Sequence, residues 1–133
     1  MADASTSFSW VRPNQLTETA NRLLTDAQQG AAIHVPSLWR FEVANGLLVA
    51  VRRKLMTEVE RKSGLSFLSR LNIVIDSDAV SLAWTTISDL AVSYGLSVYD
   101  AAYLELAIRK QLPLASRDGP LRKAAEKARV EVL

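Results

Sequence analysis

The sequence predicts an α/β fold over residues 1–133, a single domain in which helices flank a central, mostly parallel sheet. Three observations carry this. Short apolar runs alternate with amphipathic helical segments, the pattern of parallel strands joined by crossover helices. The runs are apolar along their length, as strands covered on both faces are. The chain's 133 residues are one domain's worth at ~150 residues per domain, and no repeat, low-complexity tract or Pro/Gly/Ser-rich linker divides them.

In chain order, Asn14 is positioned to cap a helix whose Leu16, Ala20, Leu23, Leu24 and Ala27 recur at helical spacing, with Gly30 as its stop. Ala31–Val35 reads as a buried strand. Pro36 then opens a helix over about Ser37 to Lys54. Thr57 and Glu60 form a capping box for a helix running to about Leu71. Asn72–Ile75 is a second strand. Ala79 to Tyr94 reads as one helix, with Gly95 as its C-terminal stop. Ser97 caps the next helix, "VYDAAYLELAIRK". Leu112–Ser116 is a third strand, Asp118-Gly119-Pro120 starts a helix to about Ala128, and Val130–Leu133 is a final strand.

Composition excludes several chemistries. Hydrophobic residues at 49% and charged residues at 23% rule out intrinsic disorder. With no cysteine there is no disulfide, thiolate metal site, iron–sulfur cluster or cysteine nucleophile, and a reducing compartment is expected. The single histidine, His34, excludes a multi-histidine zinc site and reads as structural within its strand. Any metal must then be held by oxygen, which favours a hard cation such as Mg2+ or Mn2+. No run approaches the ~18 apolar residues of a membrane span. Val43–Val51, the greasiest, is interrupted by Asn45 and Gly46. No basic region followed by an apolar one opens the chain, so a cytoplasmic protein without membrane association is expected. Neither a glycine-rich phosphate loop nor a G-x-S-x-G elbow can be written.

The carboxylates are the candidates for chemistry. Glu42 lies in a helix that is apolar nearly all round and therefore expected to be buried. A buried carboxylate must be paired, metal-bound or protonated. With Asn45 and Gly46 one turn on, Glu42 would form a small polar notch; reaching solvent or a distant arginine is the plainer alternative. Asp100 falls in the first turn of its helix, where the dipole alone favours an acid. Asp118 follows a strand and precedes Gly119-Pro120, which suits an N-cap and also the carboxyl end of a strand, where α/β ligands bind. Asp3 alone reads as a frayed terminus. Glu18, Asp26, Glu58, Glu60, Asp76, Asp78, Asp89, Glu126 and Glu131 are expected on solvated faces, caps or turns, and Glu105 as a surface partner of Arg109. Trp10, Trp39 and Trp84 read as core or interface anchors.

Together, "VPSLWRFEVANGLL", "LSVYDAAYLELAIRKQLPLASRDGPLRKAA" and "DAS" ahead of a Trp resemble the PIN-domain ribonucleases, specifically the VapC-type toxins of bacterial toxin–antitoxin pairs, from Asp3 to Leu133. The resemblance implies a PIN-like three-layer fold. It places the family's four acids on Asp3, Glu42, Asp100 and Asp118, and its neighbouring polar positions on Ser5, Asn45 and Ser116. It implies one or two divalent ions, Mg2+ or Mn2+, with Asp3, Asp100 and Asp118 as ligands and Glu42 completing the shell or positioning water. It further implies endonucleolytic cleavage of RNA, a cognate antitoxin protein as partner, and a homodimer. One departure is expected to matter. The family carries several β-branched residues ahead of its first acid, where this sequence has only Met1 and Ala2, so a stubby first strand or a truncated start is expected.

Such a site makes physical sense. Four converging carboxylates stay ionised only if cations compensate them, and a hard dication acidifies water for attack on phosphorus without a histidine or covalent nucleophile. Setting the four acids aside leaves 14 − 4 = 10 acids against 16 bases, a basic remainder suited to a polyanion. Arg40, Arg117, Arg122 and Lys123, close in sequence to the acids, are candidate phosphate contacts. Trp39, Phe41, Phe67 and Trp84 exceed what a small core needs and suggest an interface. Two alternatives stand beside the nuclease. One is a PIN-like domain impaired in cleavage that acts as a binding or regulatory partner. The other is a signalling receiver domain, disfavoured because no lysine follows "LPLAS".

Overall fold

The computed structural model describes residues 1–133, the side chain of Pro13 apart. Helices dominate. They are α1 (Ala4–Val11), α2 (Glu18–Gln28), α3 (Trp39–Arg52), α4 (Glu58–Leu68), α5 (Ala79–Leu82), α6 (Thr86–Tyr94), α7 (Val98–Lys110) and α8 (Gly119–Lys127), with a short 3-10 turn at Pro13–Gln15. Strands β1 (Ile33–Pro36) and β2 (Ile73–Asp76) pair in parallel, Ile33 opposite Ile73 and Pro36 opposite Asp76.

The parallel sheet is present but small. Leu112–Ser116 and Val130–Leu133 contribute only single parallel bridges, Ala2 to Ala115 and Leu114 to Val132. Pro113 has no amide to donate to a ladder, and just beyond the bridge the chain already turns into the Asp118 cap. The short N-terminal segment is nonetheless seated. The Asp3 amide donates to the Ala115 carbonyl, the Ala115 amide to that of Met1, and the Met1 amine to that of Pro113. Ala2 is fully buried between them. Asp3 is therefore held at the carboxyl end of a strand position, not at a frayed end.

Helix α1 was not legible as a helix. Its sequence ASTSFSWV is rich in residues that favour caps over helix interiors, but Asp3 caps it by accepting from the Thr6 amide. Ser7 and Ser9 satisfy their buried hydroxyls on the carbonyls of Asp3 and Thr6. Two glycines admit it into the core. An added Cβ at Gly46 would meet the Phe8 ring at 2.0 Å, and one at Gly64 would meet Val11 at 2.3 Å. Gly46 thus seats an aromatic ring and does not extend a polar notch beside Glu42.

Other boundaries shift for local reasons. Thr17, not Asn14, caps α2 through the Ala20 amide. The expected helix over Ala79 to Tyr94 is broken at Ala83–Thr85, where Thr85 leaves helical geometry. The Thr57–Glu60 capping box and the Ser97 cap form as expected. Helix α3 is buried along Trp39, Val43, Leu47 and Ala50 but not all round, since Phe41 is 80% exposed. Trp39 is a core residue whose indole donates to the buried Ser7 hydroxyl, whereas Trp84 is 95% exposed.

Asp76 and Glu105 are not solvated. Both are buried around the Arg109 guanidinium, at 2.8 Å and 2.7 Å, and Asp78 joins at 3.0 Å. This clamp ties the end of β2 to α7. Among the described residues, no helix is long and apolar enough to cross a membrane.

Candidate active site

Asp3 is the most enclosed of the four acids. The pairing of Met1–Asp3 with Pro113–Ala115 aims it past the sheet edge, and its carboxylate is fully engaged. Ser5 Oγ donates to it at 2.8–2.9 Å, the Thr6 amide at 2.8 Å, and the buried Ser116 hydroxyl completes the set. The two serines also knit distant segments together. Ser5 Oγ accepts from the Arg117 amide, and Ser116 Oγ from the Asp118 amide. The resemblance's polar positions 5 and 116 thus orient Asp3. Asn45, the third, is exposed.

Glu42 reaches the same region from α3. Its partner is Tyr103, whose hydroxyl donates to Oε2. Burial and the Glu42 carboxylate push the Tyr103 phenol far up, so it stays protonated and donates. Burial raises the Glu42 pKa above its ordinary value. The Tyr103 bond works against this, and the negative charges of Asp100 and then Asp3 raise it further. Asp100, one helical turn before Tyr103, is half-buried and receives Ser97 Oγ at 2.6 Å. Asp100 and Asp3 thus both act electrostatically on Glu42, and Tyr103 of α7 is bonded to Glu42 of α3.

Asp118 is placed differently. Its carboxylate caps α8 through the Leu121 amide at 2.8 Å, and its link to Asp3 runs through Ser116. Among the described residues, no three His, Cys, Asp or Glu side chains stand together as a ready cage for one metal ion. The donor set still suits a hard cation. It is all oxygen, and the mutual repulsion at Glu42 is what a bound dication would relieve.

The basic candidates divide. Arg40 is exposed and lines an apolar hollow of about 330 Å3 with Trp39, Val43, Leu65 and Ile73, apart from the acids. Arg122 is half-buried, its Nη1 donating to the Ser116 carbonyl and to a main-chain carboxyl oxygen of Leu133, the last residue of the sequence. Lys123 is exposed. Arg117 is exposed, with one long contact to Gln15 at 3.4 Å. Tyr103 is the site residue that sequence reasoning passed over. Its signal was its spacing: three residues after Asp100, it lies on the same helix face.

The family model for the PIN domain matches residues 1–127. The chain belongs to the PIN-domain family. This PIN domain is 32% identical over 111 residues to "Ribonuclease VapC3" of Pyrobaculum aerophilum, a match spanning 80% of this chain and 79% of the relative. Its fold is similar to that in the crystal structure of PAE2754 from Pyrobaculum aerophilum, with a TM-score of 0.68 at 20% identity, covering 92% of this chain and 76% of the other. The fold expected from the resemblance is thus the fold observed.

Proposed function

We propose that this PIN domain is a divalent-metal-dependent endoribonuclease that acts as the cytoplasmic toxin of a toxin–antitoxin pair. Similarity to a ribonuclease VapC supports the activity class. The charge of Asp100 and Asp3 felt at Glu42, which Tyr103 holds by a hydrogen bond, is the observation that supports the site. Asp3, Asp100 and Asp118 would hold Mg2+ or Mn2+. Such an ion, when bound, supplies acidified water and neutralises charge on the phosphate oxygens. The chain's own residues do the rest. Ser5 and Ser116 fix the Asp3 carboxylate and Tyr103 holds Glu42, and Glu42 would orient the attacking water.

Asp100 is the position to test, because it is half-buried and Ser97 Oγ is the one side-chain donor to its carboxylate among the described residues. Asp100→Asn is expected to lower RNA cleavage at least about a hundredfold, more than loss of a merely supporting partner usually costs, with the fold intact by circular dichroism. Cleavage should also stop on chelation. Undiminished cleavage in either case removes the proposal.

A second reading, a PIN-like partner impaired in cleavage, has one observation behind it: every oxygen of Asp3 is already hydrogen-bonded. Calorimetry separates the two, since the partner reading expects no heat of divalent binding and the nuclease reading a saturable one.

For partners we propose a homodimer and an antitoxin protein, supported by the apolar side chains left in solvent, Phe41 on α3 and Trp84 at the α5–α6 break among them.

A further inference from the structure

The turn that leads from α3 to α4 carries the run Arg52-Arg53-Lys54. Arg52 ends α3, Arg53 is its C-terminal cap, and Lys54 follows with a positive φ of 58°. All three are exposed. Among the described residues, none of their side chains is in an ion pair. The turn that displays them is fixed. The amides of Arg53, Lys54 and Leu55 donate to the carbonyls of Val49, Val51 and Ala50, and Met56 is buried. Two acids follow closely in sequence, and both are engaged. Glu58 pairs with Arg61 at 2.6 Å, and Glu60 accepts from the Thr57 amide and hydroxyl. Residues 52–62 thus hold five basic side chains against two acidic ones.

The fold accounts for only part of this charge. The α3 dipole favours a cation at the helix C-terminus, but that effect is confined to the last turn and one side chain satisfies it. Adjacent like charges repel, and a bound anion relieves them. The run is also placed for a polyanion that reaches the carboxylates. Arg52 lies ten residues beyond Glu42 on the same helix, about 15 Å along the axis at 1.5 Å per residue. Exposed Asn45 stands between them, three residues after Glu42 and seven before Arg52, spacings that keep side chains on one side of a helix. We infer that Arg52, Arg53 and Lys54 form a remote phosphate anchor for the RNA substrate, which grips the strand about 15 Å from the phosphodiester presented to the carboxylates. The inference rests on the nuclease reading. It gives the strand a path, along α3 toward its C-terminal end. Arginine forks bond phosphate oxygens in pairs and read no base, so the anchor supplies affinity and not choice of sequence.

The experiment reads binding apart from cleavage. A fluorescein-labelled single-stranded RNA is titrated with the full chain in excess EDTA, and anisotropy is followed across a salt series. The double variant Arg52→Gln, Arg53→Gln should flatten the salt slope by about 1.4, two contacts at about 0.7 each, and weaken binding about twentyfold near 0.1 M salt. Its circular dichroism should match the native chain. Arg52→Lys with Arg53→Lys should keep the slope, because the charges remain, and lose part of the affinity with the forks. Leu55→Ser, which removes an exposed apolar neighbour and no charge, should leave affinity and slope unchanged. So should Lys127→Gln in the last turn of α8. A Lys127→Gln effect as large as that of either arginine would show diffuse attraction and overturn the anchor. Native affinity and slope in the double variant would overturn it too, and leave the run with Leu55 to an acidic protein segment. Absence of RNA binding by the native chain would do the same. Failure of the nuclease reading shows separately, as native protein that binds RNA through the two arginines in EDTA yet cleaves none with metal present.

Discussion

Tyr103 and Glu42 make one bond on which the state of the carboxylate group depends. The Tyr103 hydroxyl opposes the rise that burial, Asp100 and Asp3 impose on Glu42. Removing it in Tyr103→Phe should raise the Glu42 pKa further and cost about 1.5–3 kcal/mol for a hydrogen bond to a charged group. Urea unfolding and Mn2+ calorimetry would detect the two effects separately. The pH dependence has a defined sign. A carboxyl whose folded pKa lies above its ordinary 4.5 binds its proton more tightly when folded. Its contribution to metal-free stability is complete below that value and is lost as pH rises through the folded pKa. Glu42→Gln should remove this fall, giving metal-free protein that is more stable near neutrality. Thermal melts from pH 4 to 8, with and without Mn2+, test this; an unchanged profile in Glu42→Gln would contradict the electrostatic picture of the site.

At the scale of elements, the seating of α1, which Asp3 caps, sets how strongly the charge of Asp3 is felt at Glu42. Phe8 lies directly on Gly46, so Gly46→Ala must displace the Phe8 ring or one of the helices that carry the pair. Overpacking of this kind costs about 1–3 kcal/mol. A second change, Phe8→Leu, should return part of that stability, and failure of the pair to compensate would argue against the contact. The Arg109 clamp gives an opposite pH signature. Hydrogen bonds from Arg109 hold the Asp76 carboxyl below its ordinary 3.8, so its stabilisation is present above that value and is lost as pH falls through the lower folded pKa. Arg109→Met strands Asp76 and Glu105 with little solvent, and breaking such a buried arrangement costs about 3–5 kcal/mol. Chemical denaturation at neutral pH would measure it. These elements also show what sequence could and could not reveal. Helix α7 was legible end to end because Ser97 caps it locally and its apolar spacing is regular. Helix α1 was not, because its serines look like loop chemistry until the glycines of α3 and α4 are brought beside it. Glu105 looked solvated for a related reason. Its i, i+4 partner was visible in sequence, but Asp76, which completes the cluster 29 positions away, was not. Glu42 was singled out through an all-round burial that α3 does not have, and the tyrosine that holds it comes from a different helix.

Across the whole molecule, 16 basic residues stand against 14 acidic ones, and several large apolar side chains stay in water. Net charge is only +2, so attraction to RNA depends on local distribution and should weaken steeply with salt. Trp84, in the interruption between α5 and α6, is almost wholly exposed and packs against nothing that its loss would disturb. Trp84→Ser should therefore change the monomer's unfolding free energy by no more than about 0.5 kcal/mol while shifting the proposed dimer toward monomer in sedimentation velocity. Unaltered sedimentation would exclude Trp84 from the proposed contact.

Asp3 caps α1, joins Ser5 to Ser116, and stands among the proposed metal ligands, all with a single side chain. A chain disarmed at that position is also loosened at its first helix and along the seam that fastens the N-terminus to the segment before α8. Whoever wants a silent but intact version of this protein, for trapping a bound strand or a partner, is better served by altering the half-exposed acid on α7, whose carboxylate has the single partner Ser97 where that of Asp3 has three.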